Sequence, residues 1–494
     1  MPAESTLLAR WLARADDPRT AFHEARGVTT WSGAVDASER VAAGLLGGRR
    51  SLDGERVAIL VSPGADFAAG FFGVLRAGGA VVVLSPLHPP PETRYFCDDA
   101  GVRTVLVSAD LAERASCLAP ERSVVLIEDM VARARARLGP VPGERDAALQ
   151  LYTSGTTGKP KGAVISHANL AVQQELLGQA WAWHESDVLL HVLPLHHMHG
   201  LAIALLSAVG AGAATLFLPS FDARATWNAM ARATVLMAVP TIHAKLFAAL
   251  DAADASTREA WTEHARALRL VTSGSAALPV TVGDRWRSLT GAYPLERFGM
   301  TEIGVGSTNP LDPSARRPGT VGLPLPTVQT RVVEDELWVA GPSVFAGYHQ
   351  KNEATRESFV AEAGTRWFKT GDTVAYDDAG YLRILGRTSV DILKSGGYKL
   401  SALEIEEVLR EHGAVGEVAV VGLPDETWGE RVVACVVPRP GREGECAEDA
   451  LRGFAKERLA PYKVPRQVVL MTELPRNAVG KVMKTELRAK LTAR

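Results

Sequence analysis

Short, nearly unbroken apolar runs recur along the first 275 residues: RVAILVS from Arg56, AVVVLSP from Ala80, RTVLVS from Arg103, SVVLIED from Ser123, ATLFLP from Ala214 and RLVTSGS from Arg269. Helix-like stretches separate them. Strands apolar on both faces belong in parallel sheets covered by helices on both sides. The pattern predicts an α/β fold built on two doubly wound sheets. From about residue 320 to 385 turn residues crowd together, as in VGLPLPTVQTRVVEDELWVAGPSVFAGYHQ and GYLRILGR. That spacing predicts antiparallel strands and a small β-barrel. After Arg387 the pattern resets. SALEIEEVLREHG opens with a capping box, Ser401 with Glu404, and sets Ile405, Val408, Leu409 and His412 on one helical face. EVAVVGLPDETWGERVVACVVPRPG then reads as two strands around a loop. A large domain over residues 1–387 and a smaller α+β domain over 388–494 follow, joined between 386 and 392.

Two stretches invite other readings. Gly200 to Pro219 carries no charge, and about 20 such residues can span a bilayer. Its internal glycines, and the change from LAIALLSAV to ATLFLP, instead predict a buried helix followed by a buried strand. ARARARLG (Ala132 to Gly139) is densely basic and predicts a solvated helix face.

Composition adds exclusions. A hydrophobic fraction of 47% argues against disorder, and a net charge of −2 gives no bulk reason to expect a nucleic-acid partner. None of the four cysteines (Cys97, Cys117, Cys435, Cys446) has a CxxC neighbour, so neither a zinc knuckle nor a redox dithiol is indicated. So few thiols suit a reducing compartment. The first residues, MPAESTLLARWLARADD, lack the long apolar core of a secretory signal. The expectation is a cytoplasmic protein with no membrane span.

The candidate chemistry begins at LYTSGTTGKPKGAVISHANL, from Leu151. Gly155, Gly158 and Gly162 allow close backbone approach. Exposed N–H groups, the hydroxyls of Thr153, Ser154, Thr156 and Thr157, and Lys159 and Lys161 together make an anion site. A Walker A loop needs four residues between its glycines and Ser or Thr after its lysine. Here two residues separate Gly155 from Gly158, and Pro160 follows Lys159.

YTSGTTGKPKG resembles the signature of the adenylate-forming superfamily, which includes the acyl-CoA synthetases. LPLHHMHGL, SGSAAL, ERFGMTE, FKTGD, GYLRILGR and LPRNAVGK match further motifs in the same order, as far as Lys481. The resemblance implies that the glycine-rich loop, including Ser154, Gly155, Thr156, Thr157, Gly158 and Lys159, holds the ATP phosphates. Phe298 would stack on adenine against Ser275 and Ala276, Thr301 would meet the α-phosphate, and Glu302 would hold Mg²⁺. Asp372 and Arg387 would bind the ribose. Lys481 would touch carboxylate and phosphate oxygens during adenylation, where an ammonium offsets the meeting of like charges. Lys394, Gly396 and Gly397 in KSGGYK would line the path of coenzyme A, the second co-substrate, once the smaller domain rotates. Relatives carry the hinge two positions after the ribose arginine. In GRTSVDILKSGGYK the hinge falls at Ser389, Val390 or Asp391.

Two positions bear on the acid. Synthetases of bulky acids often have glycine before the stacking aromatic, where this chain has Arg297, and an aromatic where it has His199. An arginine in the acyl pocket is costly unless paired, and a short diacid supplies the missing anion. The segments LERFGMTEIG and GRTSVDILKSGGYKLSALEIE are similar to malonyl-CoA and methylmalonyl-CoA synthetases; pairing of Arg297 with Glu296, or with another carboxylate outside the pocket, is the rival explanation. His191, His196, His197 and His199 lie too close in sequence to converge on one metal. His197 is placed at the active-site entrance, as part of the catalytic set, and His199 beside the distal carboxylate. The expected activity is ATP-dependent ligation of malonate or methylmalonate to coenzyme A. A ligase for another short, medium-chain or aryl acid, or an adenylating enzyme that loads a carrier protein, is the alternative. The partners implied are small molecules.

Overall fold

The computed structural model describes residues 4–153, 160–476 and 482–492. The apolar runs form strands as their pattern predicts. A seven-stranded sheet runs Gly347–Tyr348, Lys161–Ser166, Ala147–Thr153, Ala80–Val83, Arg56–Leu60, Thr104–Val107, Ser123–Leu126. Its last five strands are parallel, and the first two pair antiparallel at one edge. A nine-stranded sheet runs Leu323–Pro324, Gly304–Thr308, Leu295–Met300, Leu270–Ser273, Val235–Ala238, Val188–His191, Ala214–Phe217, Thr20–Glu24, Gly27–Thr30. Six strands, from Leu295–Met300 to Thr20–Glu24, are parallel.

One core joins both sheets. It takes Val57, Ile59 and Leu149 from the first and Leu189, Leu236 and Leu295 from the second. Between them lies the helix Ala65–Arg76, where Phe67 to Leu75 are all buried. A helix apolar on every side can sit only inside such a sandwich. Trp11 stacks on Phe72 at 4.0 Å and donates its indole N–H to Ser38 Oγ at 3.0 Å, so its one polar atom is satisfied.

The uncharged stretch is a buried π-helical segment, His199–Leu205, continued by the helix Leu206–Ala211 and the strand Ala214–Phe217. Among the described residues no helix is long and apolar enough to cross a membrane. The basic patch corrects its prediction: the helix Ile127–Val131 ends before it, and Ala132 to Gly139 is irregular. Arg135 pairs there with Asp36, and Arg40 donates to the Arg133 carbonyl, so pairing with another helix holds the chain out of helix.

Residues 320–385 form a five-stranded antiparallel sheet centred on Thr365–Tyr376. Glu336–Ala340 lies on one side of it; Phe359–Glu362 and Leu382–Arg387 share the other. The last hundred residues carry a second five-stranded sheet. In it the hairpin Val415–Asp425 and Gly429–Pro438 pairs with Gln467–Leu470 and, at Ser395, with Ile392–Ser395. Its hydrophobic clusters begin at Leu393, and those of the preceding part end at Ile384. The helix Ala402–Arg410 has Ser401 as N-cap, accepting from the Glu404 N–H at 3.2 Å. The box is not reciprocal, however, because the Glu404 carboxylate pairs with Lys463. Ile405 and Leu409 are buried, while His412 lies past the helix end.

Candidate functional site

Thr153 and Lys161 are opposite residues of a hairpin that closes the glycine-rich segment. Its base is tightly packed: a Cβ on Gly162 would lie 2.4 Å from Gln150 Nε2, so a larger residue would displace that side chain. Ser154, Gly155, Thr156, Thr157, Gly158 and Lys159 lie outside the described residues, as does Lys481.

The other expected residues gather at the ends of strands in the nine-stranded sheet. Leu295–Met300 carries Arg297 and Phe298; Thr301 and Glu302 occupy the turn that follows. Leu270–Ser273 ends beside them in a turn where Ser275 has φ of 68° and, with Ala276, is exposed. Phe298 is half-buried and packs against the core.

Arg297 is 3% exposed. Its Nε and Nη2 have no hydrogen-bond partner among the described residues. Glu296 does not pair with it. Alternation along the strand sends that carboxylate elsewhere, to accept from the Gly319 N–H at 2.8 Å. Burial pushes Glu296 up to about 8 and Arg297 down to about 10, which leaves the guanidinium charged at neutral pH. The guanidinium lies on the Gly274 backbone, where a Cβ would come within 2.5 Å of Nε. His199 Nδ1 is 3.2 Å from Ser275 Oγ, and its Nε2 is buried without a partner. Burial, and then the Arg297 charge, hold His199 well below its usual pKa, so the ring is neutral.

Glu302 is buried, and burial raises its pKa. It makes no ion pair among the described residues; its Oε1 accepts from the Tyr348 hydroxyl at 2.9 Å. A buried carboxylate without a counter-ion suits a hard cation such as Mg²⁺. Asp372 and Arg387 face each other across paired strands, with Arg387 Nε 3.1 Å from Asp372 Oδ1. Lys394, Gly396 and Gly397 belong to a two-residue hairpin whose glycines have φ of 58° and 81°, as a type I′ turn requires. Asp391 accepts from the Arg387 N–H at 3.0 Å and pairs with Lys484 at 2.6 Å. Ser389 is exposed between them.

The histidines separate by task. His191 Nε2 lies 2.9 Å from the Gly200 carbonyl oxygen and fastens the π-helical segment. His196 and His197 have ring centroids 4.2 Å apart, and His88 stacks edge-on to His196 at 5.6 Å. Burial brings His197 down to about 4. No group among the described residues is arranged to hold a metal through histidine, cysteine or carboxylate clusters. Sequence reasoning missed His88 and Tyr348, each more than forty residues from its partner.

This geometry has counterparts. Residues 8–349 match the AMP-binding enzyme family, and residues 404–481 match the AMP-binding enzyme C-terminal domain. The chain is 41% identical to a mitochondrial malonate–CoA ligase of Mus musculus, covering 89% of this chain and 82% of that one. It is 39% identical to a malonate–CoA ligase of Arabidopsis thaliana, covering 89% and 79%. ATP-bound MatB from Rhodopseudomonas palustris superposes with a TM-score of 0.89 at 33% identity over 99% of both chains. A malonyl-CoA ligase complex with methylmalonyl-CoA and AMP gives 0.69 at 35% identity, over 96% of this chain and 100% of that one. With motifs, fold and site in agreement, the chain belongs to the AMP-binding enzyme family, the adenylate-forming superfamily that its glycine-rich loop resembles.

Proposed function

We propose that this enzyme is an AMP-forming malonyl-CoA synthetase that also accepts methylmalonate. The observation that carries the reading is the buried, unpaired Arg297 guanidinium. Leaving such a charge without an anion costs several kcal/mol, and the second carboxylate of a short diacid supplies one through paired N–H···O bonds. Neutral His199, with a free ring nitrogen beside Arg297, adds a hydrogen-bonding group for the same carboxylate. Malonate–CoA ligases among the relatives support the assignment.

The reaction has two halves. The reacting carboxylate attacks the α-phosphorus of ATP, pyrophosphate leaves, and the CoA thiol then displaces AMP from the acyl-adenylate. Thr301 and Lys481 steady the charge that builds on the phosphate, Phe298 with Ser275 and Ala276 holds adenine, and Asp372 with Arg387 holds ribose. His197 shapes the entry to this space. Glu302 would hold Mg²⁺, which when bound would draw charge from the phosphate oxygens. Lys394, Gly396 and Gly397 serve the thiol half-reaction. Residues 388–494 act as the rotating lid, and the four unpaired thiols suit the cytoplasm.

The test is AMP formation with malonate, methylmalonate, acetate, octanoate and benzoate, each with free CoA. The diacids are expected to exceed acetate by about 10⁴-fold in kcat/KM, because a monoacid leaves the arginine unpaired. Arg297→Ala is expected to lose at least 10²-fold on malonate with an ATP KM within twofold. An equal loss on every acid would sink the pocket assignment.

A further inference from the structure

The Glu302 carboxylate and the hairpin that closes the glycine-rich segment come from different sheets, and a cation held by Glu302 beside nucleotide phosphates would need the two in fixed register. The strand Gly347–Tyr348 supplies the connection. It pairs antiparallel with the strand that leaves the loop, Gly347 opposite Val164 and Tyr348 opposite Ala163. The next residue continues the pairing, with His349 N–H donating to the Gly162 carbonyl at 2.7 Å.

From this strand contacts run in two directions. Towards the loop, Lys161 Nζ lies 4.7 Å from the centre of the Tyr348 ring, a cation–π contact. His349 Nδ1 is 3.0 Å from Arg56 Nη2; Arg56 Nε donates to Gln150 Oε1 at 2.7 Å, and Gln150 fills the space under Gly162. Towards the nine-stranded sheet, the Tyr348 hydroxyl donates to Glu302 Oε1, and Phe345 N–H donates to the Glu302 carbonyl at 2.8 Å. Tyr348 is itself 9% exposed, and its ring meets Phe345 edge-on at 4.9 Å, so it has little freedom to turn.

We propose that Tyr348 is the positioning residue for the Glu302 carboxylate, and that through it the short strand Gly347–Tyr348 sets that carboxylate in register with the strand Lys161–Ser166, at the base of the glycine-rich segment. The inference rests on the reading of Glu302 as the Mg²⁺ carboxylate. The hydroxyl occupies one oxygen and fixes the plane of the group, which limits how the carboxylate presents itself to a cation. Such a hydrogen bond to an ionised acceptor is among the stronger ones available to a neutral donor.

The experiment is a Mn²⁺ titration of the full-length enzyme with a non-hydrolysable ATP analogue, read by electron paramagnetic resonance. Tyr348→Phe keeps the ring under Lys161 and removes only the hydroxyl. Mn²⁺ affinity is expected to fall about tenfold. The Mg²⁺ concentration for half-maximal adenylation should rise in step, while the malonate KM and the melting temperature stay as in the parent. Glu302→Gln separates the two readings. If Glu302→Gln weakens Mn²⁺ binding and Tyr348→Phe leaves it within twofold, the positioning role is overturned and the metal role stands. If Glu302→Gln itself leaves Mn²⁺ binding unchanged, the reading of Glu302 falls and the proposal with it.

Discussion

At Arg297 the residue type was legible from the chain, because it stands where relatives of bulky acids carry glycine. Its isolation was not. That depends on the pleat sending Glu296 to Gly319 on the opposite face, and on Gly274 having no side chain. The guanidinium rests where a Gly274 Cβ would stand, 2.5 Å from Nε and 2.9 Å from Nη2. Gly274→Ala therefore forces the guanidinium off its shelf, while Gly274 has negative φ and accepts alanine without backbone strain. The expected outcome is a malonate kcat/KM lower by about 10- to 100-fold, the worth of a charge-assisted hydrogen bond, with ATP KM unchanged. Steady-state AMP formation measures both. Tyr348 shows the opposite limit of legibility: its role lies wholly in a partner 46 positions away in the chain, and no local pattern announces such a bond.

Among elements, strands with apolar faces were readable because burial and pattern are the same fact. ARARARLG was not, because alternating arginine and alanine has no apolar face, and the choice between helix and coil fell to Asp36 on a distant helix. The start of the last helix, Lys484–Thr492, holds another feature no spacing reveals. Lys484 Nζ lies 2.6 Å from both Asp391 Oδ1 and Glu406 Oε1, with its side chain 9% exposed. Asp391 is one of the three residues at which the hinge is expected, and Glu406 lies on Ala402–Arg410, so one ammonium ties that segment to two helices. Removing it leaves, among the described residues, the buried Glu406 with Arg410 as its remaining cation and the half-buried Asp391 with only the Arg387 N–H. Lys484→Met is expected to destabilise residues 388–494 by about 3–5 kcal/mol, the cost of breaking a buried pair from one side. Urea unfolding should record the loss, and Glu406→Gln added to Lys484→Met should restore part of it. A loss below about 1 kcal/mol would mean that solvent reaches the group and the triad contributes little.

For the whole molecule, motif order made the two-part architecture legible, but the contacts between the parts were not, since they join residues far apart in the chain. Among the described residues, three polar contacts across the two parts bear on their arrangement. The helix Val280–Thr290 starts after Pro279, with no side-chain cap of its own. Glu407, from the smaller part, supplies one: its Oε1 accepts the Val280 N–H at 2.8 Å. A carboxylate at a helix N-terminus meets unpaired N–H groups and the positive end of the dipole. Lys399 and Asp335 add an exposed ion pair at 2.9 Å, and Ser401 Oγ donates to the Leu385 carbonyl at 2.5 Å. Under the proposed two-step reaction, we assign the Glu407 contact to the arrangement in which adenylation takes place. Glu407→Lys places a cation on the same helix end and should disfavour that arrangement by about 1 kcal/mol, which corresponds to roughly fivefold in population. Pyrophosphate release in a single turnover is then expected to slow by two- to fivefold. Thioester formation from preformed malonyl-adenylate uses the other arrangement and should keep its rate. Equal slowing of both half-reactions would show that Glu407 only supports the fold and does not hold one orientation against the other.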